Sequence, residues 1–418
     1  MSILLLFVIL LVLMLFGAPV AAAIGLTDII YLNNAGYSFF TIIQRIYSHL
    51  DSTSFLALPG FVIAGFLMDA GGMAKRLISL FELVTGKITG GLGVLSILAS
   101  GAFGTLSGSS QATTAAIGSI TVPEMEKRGY PKEFGVACSC AGGVLGVMIP
   151  PSTAIVLYAV TVGASITLMF QSHFIYGGLM TLGGMILVYF MSRRMGIKKS
   201  YTKTNIKQKL IIIRNAIPAI LFPIIVFGAI FAGFMTPTES SAFAILYSLV
   251  VGVFVYKELT LKKLIAVMVK SVRTVSAIVI ITSVATCFGW IVTAERVSNQ
   301  VLEALLTLTN NKYIILILVN IFLLILGCFM NGFSIILLAG PILAPLAASL
   351  GVPPVQFGTM FHVAIVIGFL TPPFGQLLFV GSSLFDVPLM RLARSCIPFV
   401  LLYTGFALLL VFVPIFNY

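Results

Sequence analysis

Gly146-Val-Met-Ile-Pro150-Pro151-Ser152-Thr153 sits inside an apolar run of about thirty residues, 134–164, and its reading decides the fold. A helix of roughly 20 residues crosses the hydrocarbon of a bilayer, so this run is too long for one straight crossing. Proline brings no backbone N–H, and its ring clashes with the preceding turn. Two in succession predict a helix that stops inside the membrane and starts again. Carbonyls freed before the stop can bind a cation, whereas the amides of the restarting half-helix face an anion. A simple structural kink is the plainer alternative. It loses ground because the pattern recurs as Gly368-Phe-Leu-Thr371-Pro372-Pro373-Phe-Gly375-Gln376 within 357–385.

The two double prolines lie 222 positions apart, and the same shift pairs Gly118 with Gly340, Pro123 with Pro345, Gly129 with Gly351, Pro131 with Pro353 and Gly146 with Gly368. Upstream, Phe16-Gly-Ala-Pro19 pairs with Phe234-Met-Thr-Pro237 at a shift of 218. Matches of this kind predict two related halves: 1–192, with a hairpin at about 88–125 and a broken helix at 134–164; and 215–418, with a hairpin at about 313–346 and a broken helix at 357–385. A basic linker, 193–214, joins them. The segment Glu126-Lys-Arg-Gly-Tyr-Pro-Lys132 is basic, whereas its counterpart Ala348-Ser-Leu-Gly-Val-Pro-Pro354 is uncharged. Because basic loops stay cytoplasmic, the halves are expected upside down relative to each other.

Composition sets the environment. Of 418 residues, 59% are hydrophobic and only 9% charged, too few charges for a water-facing exterior. Ten apolar spans are expected, at 2–16, 18–33, 53–70, 134–164, 173–191, 211–234, 240–256, 274–292, 357–385 and 397–416. They must be helices, since each then satisfies its own backbone groups. The first lacks the basic start of a cleaved leader and is kept as structure. The net charge of +12 has a topological use: Arg193, Arg194, Lys198, Lys199, Lys203, Lys207, Lys209 and Arg214 cluster without an acid and mark a cytoplasmic loop. Lipid head-group or nucleic-acid binding is the lesser alternative. The count puts the amino terminus outside. Residues 257–273 alternate apolar and lysine positions at helical spacing, which predicts an amphipathic helix at the cytoplasmic surface; the stretch from Lys75 to Lys87 is similar.

Gly101-Ala-Phe-Gly-Thr-Leu-Ser107-Gly-Ser109-Ser110-Gln111-Ala-Thr113-Thr114 has apolar flanks too short to cross comfortably. A re-entrant hairpin with its Gly/Ser tip near mid-membrane accounts for it, provided the tip is buried in protein or lines a cavity. Close packing of helices through Gly104 and Gly108 is the other reading. Leu326-Gly-Cys-Phe-Met330-Asn331-Gly332-Phe-Ser334 is the counterpart. Hydroxyls, carbonyls and the Asn331 amide offer neutral oxygen, which hard cations prefer. No ionised carboxylate lies in these segments, so Na+ fits better than Ca2+, and a carboxylate proton relay through them is disfavoured.

Other features read as structure. Thr236-Pro-Thr-Glu239 fits a capping box rather than a functional Glu239. His173 and His362 are isolated and read as packed or helix-terminal. Trp290 suits an interfacial anchor, Glu295-Arg296 a local ion pair, and the five cysteines packed thiols. There is no phosphate loop, zinc pair or nucleophile elbow. The chain is therefore not read as an enzyme, and any uphill work must draw on an ion gradient or another chain. Each net charge carries about 2.3 kcal/mol per 100 mV of membrane potential.

Ser107-Gly-Ser-Ser-Gln-Ala-Thr-Thr-Ala-Ala-Ile-Gly-Ser, Val122-Pro-Glu-Met, Arg128-Gly-Tyr-Pro, Gly146 to Ser152 and Met235-Thr-Pro-Thr-Glu-Ser-Ser-Ala resemble the large membrane subunit of TRAP transporters over essentially the full chain. The resemblance implies an all-α polytopic permease with an elevator-type motion in a bacterial inner membrane. It implies Na+-driven uptake of an organic acid, a periplasmic binding protein that delivers the acid, and a small membrane subunit. C4-dicarboxylates and sialic acid are the substrates it points to, with a lean to sialic acid. Carried over by residue, one Na+ site would combine Ser107, Ser109 and Ser110 with Gly146, Ile149 and Pro150. The other would combine Met330, Asn331 and Gly332 with Gly368 and Thr371. Substrate would lie between them, near Ser110, Thr113, Ser152, Thr153 and Gln376. The family often has a carboxylate where Asn331 stands, so a charged role there is not carried over. Two rival readings are a stand-alone Na+/carboxylate symporter and, from another class, a passive channel or membrane scaffold.

Overall fold

The computed structural model describes residues 3–197, 199 and 205–413. Lys198 and Lys203 of the basic linker, and the end of the last expected span, lie outside the described residues. Among those described, every element is helical, apart from an isolated bridge pairing Thr89 with Lys199.

In chain order, the first half contains α1 (Ile3–Leu15), α2 (Val20–Ala35), α3 (Phe40–Leu50), α4 (Thr53–Ala70), α5 (Met73–Thr85), α6 (Gly91–Ser107), α7 (Ser110–Lys127), α8 (Lys132–Met148), α9 (Thr153–Val162) and α10 (Ile166–Arg194). The second contains α11 (Ile206–Phe231), α12 (Pro237–Val250), which continues into a π-helical turn at Val251–Val255, α13 (Leu261–Ala294), α14 (Val297–Leu308), α15 (Lys312–Phe329), α16 (Gly332–Ser349), α17 (Pro354–Gly368), α18 (Gln376–Phe385) and α19 (Leu389–Phe412). Shifted by 222, α7 falls on α16 end for end, and the bounds of α6, α8 and α9 fall within two residues of α15, α17 and α18. Glycine and proline punctuation therefore sets the same helix ends twice. Arg193 and Arg194 close α10 in its last turn, where they complement the carbonyl end of the helix.

Eight of these helices are long and apolar enough to cross a bilayer, and the α8–α9 pair, bent by 43° at its break, makes nine. Together they form a multi-pass membrane protein. The count differs from the ten expected spans for a geometric reason. The arms α15 and α16 are each long enough to count, whereas α1, α2 and the separately broken α17 and α18 are too short.

Residues 257–273 do not form a separate surface helix. They lead into α13, a continuous 34-residue helix that also contains the 274–292 span. No glycine or proline interrupts Leu261–Phe288, so nothing separates the lysine-bearing turns from the apolar ones. At about 1.5 Å per residue, α13 outreaches a hydrocarbon layer of roughly 30 Å, and its charged turns extend past it. The α3 helix, amphipathic and with no buried residue, has no counterpart among the expected elements. Thr236 caps α12 as expected: its hydroxyl accepts from Glu239 N, and Glu239 accepts from Thr236 N at 2.8 Å. The Glu295–Arg296 ion pair does not form among the described residues. Arg296 instead takes a left-handed conformation (φ 53°) at the start of α14.

The interior is organised around α8 and α17. Every residue from Val355 to Gly368 is buried, and α8 buries all but a few of its residues, with Gly142, Gly143 and Gly146 set against neighbouring helices. Tyr403 on α19 donates to the Ala141 carbonyl at 3.0 Å, and the Ser172 and Thr359 hydroxyls join α10 to α17 at 2.7 Å. All five cysteines are buried and free. Large apolar side chains lie exposed on α10, α11, α13 and α19, which suits a lipid surround.

Candidate functional site

The two double prolines break their helices differently. At the first, Pro150 and Pro151 deny the Gly146 and Val147 carbonyls the donors they would have four residues on. At the second, the chain turns back on itself. Thr371 N donates to Gly368 O at 3.0 Å, and Leu377 N donates to Phe369 O at 3.0 Å, so the corresponding carbonyls are engaged. Both Pro–Pro peptides are cis.

Two more helix ends are made by the hairpins. After α6, Gly108 adopts φ 58°, which a side chain rarely tolerates, and the chain restarts as α7 with Ser109 as its N-cap, accepting from Ala112 N at 3.4 Å. After α15, Asn331 does the same for α16: its Oδ1 accepts from Ser334 N at 2.9 Å and from the Ser334 hydroxyl at 3.1 Å. Ser109 and Asn331 correspond at the 222 shift. The tips are thus matched capping turns, a signal the capping rules make legible.

A cavity of about 160 Å3 lies where these ends meet. Ser109, Ser110 and Gln111 line it from the amino end of α7, and Asn331, Gly332 and Phe333 from that of α16. Ala154 in the first turn of α9 and Gln376 at the start of α18 complete the ring. Four helix amino ends therefore converge, each with backbone N–H groups lacking helical partners and a partial positive charge. Among the described residues, no Asp, Glu, Lys or Arg lines the cavity. The arrangement favours a small anion without a fixed countercharge.

The carbonyl ends are gathered elsewhere. Gly104 near the end of α6 abuts the end of α8 so closely that a Cβ there would lie 2.8 Å from Leu145 O and 3.0 Å from the Gly146 Cα. In the other half Gly327 of α15 abuts α17, with a Cβ 3.1 Å from the Gly368 Cα. Close packing at Gly104 and Gly327 is therefore what holds the tips against the breaks. Carbonyl ends pair at two crossings and amide ends face one central space.

These features match a known family. The model of the tripartite ATP-independent periplasmic transporter, DctM component, matches residues 7–416. The chain is a large membrane subunit of the TRAP transporter family. It is 37% identical to the isethionate TRAP transporter permease protein DctMQ of Oleidesulfovibrio alaskensis, over 95% of this chain and 63% of that longer protein. It is 33% identical to the sialic acid TRAP transporter large permease protein SiaM of Vibrio cholerae, over 95% of this chain and 93% of the relative. It is 34% identical to the C4-dicarboxylate TRAP transporter large permease protein DctM of Pseudomonas aeruginosa, over 88% and 86%. Among solved structures, the YdaH transporter of Alcanivorax borkumensis superposes with a TM-score of 0.63 at 15% identity, covering 89% of this chain and 87% of that one. MtrF of Neisseria gonorrhoeae superposes with 0.62 at 13%, covering 88% and 82%. These two show likeness of fold alone. The TRAP permease is a multi-pass inner-membrane transporter subunit and not an enzyme.

Of the residues singled out from sequence, Ser109, Ser110, Asn331, Gly332 and Gln376 line the TRAP permease's cavity. Ser110 Oγ is buried without a hydrogen-bond partner. Ser107 and Thr113 lie at the α6–α7 turn, their hydroxyls 2.8 Å apart, and Thr113 packs against Gly146. Ser152 is the N-cap residue of α9, with its Oγ buried and unpartnered, and Thr153 Oγ1 donates to Gly108 O at 3.5 Å. Pro150 is buried in the break, and Ile149 packs against Gly177 of α10. Thr371 Oγ1 donates back to Ile367 O at 2.9 Å, and Gly368 packs on Gly327. Met330 lines a separate apolar groove with Phe7 and Met14. Gly108 of the first tip lines it too, and the remaining lining residues, Gln111, Val147, Ala154, Phe333, Ile336, His362, Ile365, Val366 and Phe369, are not among the site residues expected from sequence. Most are apolar positions without a chemical signature. His362 is neither isolated nor remote: it lines the cavity and stacks edge-to-face on His173, ring centroids 4.9 Å apart.

Proposed function

We propose that this permease moves a small organic acid inward, coupled to Na+, and that the ring of four helix amino ends binds the acid group. That ring carries the reading, because it supplies positive potential where, among the described residues, no charged side chain stands. Na+ is taken as co-transported cargo. The neutral hydroxyls and carbonyls around Ser107, Ser109, Ser110, Gly146, Ile149 and Pro150 form one candidate site, and those around Met330, Asn331, Gly332, Gly368 and Thr371 the other. The unpartnered Ser110 hydroxyl and the proline-freed carbonyls support the first more strongly. At the second, Thr371 N and Leu377 N already engage the Gly368 and Phe369 carbonyls.

The cavity volume falls below the roughly 300 Å3 at which pockets for drug-sized ligands begin. It favours a short sulfonate or dicarboxylate over a sugar acid the size of sialic acid. In this reading the two halves are inverted, the amino terminus is periplasmic, and the hairpins and broken helices travel as an elevator against the remaining helices. A periplasmic binding protein delivers the acid, and a small membrane subunit braces the scaffold.

The test is uptake in proteoliposomes containing this chain and its small subunit, with and without the binding protein, under an imposed inward Na+ gradient. Accumulation above equilibrium that needs both gradient and binding protein is expected, with losses in Ser110→Ala, Asn331→Ala and Thr371→Ala. Accumulation without the binding protein would establish a stand-alone symporter instead. Flux that only equilibrates the acid would leave a channel. Unchanged Na+ dependence in all three variants would overturn the side-chain assignments.

A further inference from the structure

A second cavity, of about 430 Å3, lies between α3, α13 and the last turns of α9 and α16. Its walls meet closely: a Cβ on Gly340 would touch Val162 at 3.5 Å, and one on Gly289 would touch Pro341 at 3.4 Å. The two cavities share helix faces. Phe333 of α16 lines the central one, and Leu337, Pro341, Ala344 and Ala348 continue the same stripe along the second. On α9, Ala154 lines the first cavity, and Thr161, two turns on, lines the second. From there α10 carries the chain through 29 residues to Arg193 and Arg194. The second cavity therefore lies at the end of the bundle away from the basic linker, which is the outer end if basic loops stay cytoplasmic.

Arg45 of α3 is the only Asp, Glu, Lys or Arg in this lining among the described residues, and it is exposed, so an anion can reach it. No carboxylate pairs with it among those residues; neither Asp28 nor Glu295 lines the cavity. Its Cζ sits 5.1 Å from the Trp290 ring centre, and Tyr37 meets that ring edge-to-face at 5.2 Å. Contact with an aromatic ring leaves guanidinium N–H groups free for an acceptor. The Thr161, Thr286 and Thr293 hydroxyls give their protons to carbonyls of their own helices, at 2.7, 2.9 and 2.8 Å. Attraction for an anion thus falls to Arg45. We propose that this cavity is an outer binding site for the transported acid, whose carboxylate or sulfonate pairs with Arg45 before the acid moves on to the ring of amino ends. The inference rests on that ring being the deeper acid site. A guanidinium matches either anion through paired N–H bonds, and a pair that remains partly wet is weak enough to release the acid inward.

The experiment follows thiol labelling of the purified chain with its small subunit. All five native cysteines are buried, and Thr293→Cys places a new thiol at an exposed position of the cavity wall. The probes are a sulfonate-bearing and a trimethylammonium-bearing methanethiosulfonate. With Arg45 present, the sulfonate reagent is expected to gain roughly fivefold to tenfold over the cationic one, relative to Arg45→Gln. Arg45→Lys should keep most of that gain. At least one of lactate, succinate and ethanesulfonate should slow labelling in the Arg45 protein and not in Arg45→Gln, and chloride at equal ionic strength should not slow it. Because the first readout is a ratio of two reagents at one thiol, a general loosening of α3 changes both rates alike. A ratio indifferent to Arg45→Gln, no protection by any acid, protection that persists without Arg45, or protection matched by chloride overturns the outer site. The central ring still stands if the acids stabilise the wild-type protein against heat. Acids that neither slow labelling nor stabilise the protein overturn the ring and this inference together.

Discussion

Gly146→Ala places one methyl group where the first hairpin tip meets the first broken helix. The new Cβ would lie 2.8 Å from the Ser109 carbonyl oxygen and 2.9 Å from the Thr113 Cβ, and it would also collide with Thr113 Oγ1. Ordinary contact begins near 3.4 Å, so the tip must retreat by roughly half an ångström, or Thr113 must rotate and lose its 2.8 Å bond to Ser107. Overpacking of this kind costs about 1–3 kcal/mol, and the lost hydrogen bond about 0.5–1.5 kcal/mol. Replacing a helical glycine with alanine returns up to about 1 kcal/mol. The net is a destabilisation of about 1–3 kcal/mol directed at the tip, equivalent to roughly 5- to 150-fold in how often the tip is correctly seated. Gly178→Ala is the control, since a Cβ there meets nothing within 4 Å. Uptake against Na+ concentration, measured beside thermal unfolding, should show Gly146→Ala with half-saturating Na+ raised about tenfold or more, and Gly178→Ala unchanged. If Gly146→Ala matches Gly178→Ala in both measurements, the tip and the break do not act together and the reasoning fails.

Three further outcomes follow from the packing. Thr236→Ala removes the capping box of α12 and should cost about 1 kcal/mol of stability, read as a lowered unfolding temperature with unchanged substrate affinity. Tyr403→Phe leaves the Ala141 carbonyl without the donor now 3.0 Å away. Because that carbonyl lies inside α8 and keeps its helical donor, the change should cost about 0.5–1.5 kcal/mol, measured by thermal unfolding of the purified protein. Arg76, 2.8 Å from Glu258 and 3.7 Å above the Tyr256 ring, ties α5 to the junction between α12 and α13. The pair is partly exposed, so Arg76→Ala should cost only about 1 kcal/mol, and raising salt should narrow its difference from wild type.

What the sequence made legible were features fixed by backbone chemistry. Pro150-Pro151 and Pro372-Pro373 cannot continue a helix, and Ser109 and Asn331 are natural caps, so the breaks and tips were readable and their repeat at one shift could be counted. What it hid depends on three-dimensional meeting. Nothing near His362 in the chain marks it as a site residue, because its neighbours in the fold, His173 and Tyr158, lie far away in sequence. The different wiring of the two breaks was also invisible, since the bond from Leu377 N to Phe369 O depends on how tightly the second turn closes. The α3 helix escaped because its apolar positions, Phe40, Ile43 and Tyr47, remain exposed and its pattern is short. Residues 257–273 misled by composition: lysines implied a surface helix, but an unbroken backbone carried them into a long one.

A structure of the permease with a bound short-chain acid and Na+ tests the central claim most directly. The account predicts the acid group within hydrogen-bonding distance of the first amides of α7 and α16, with the cavity between them filled. Density for the acid beside a basic side chain elsewhere, with the four amino ends holding only water, would contradict it.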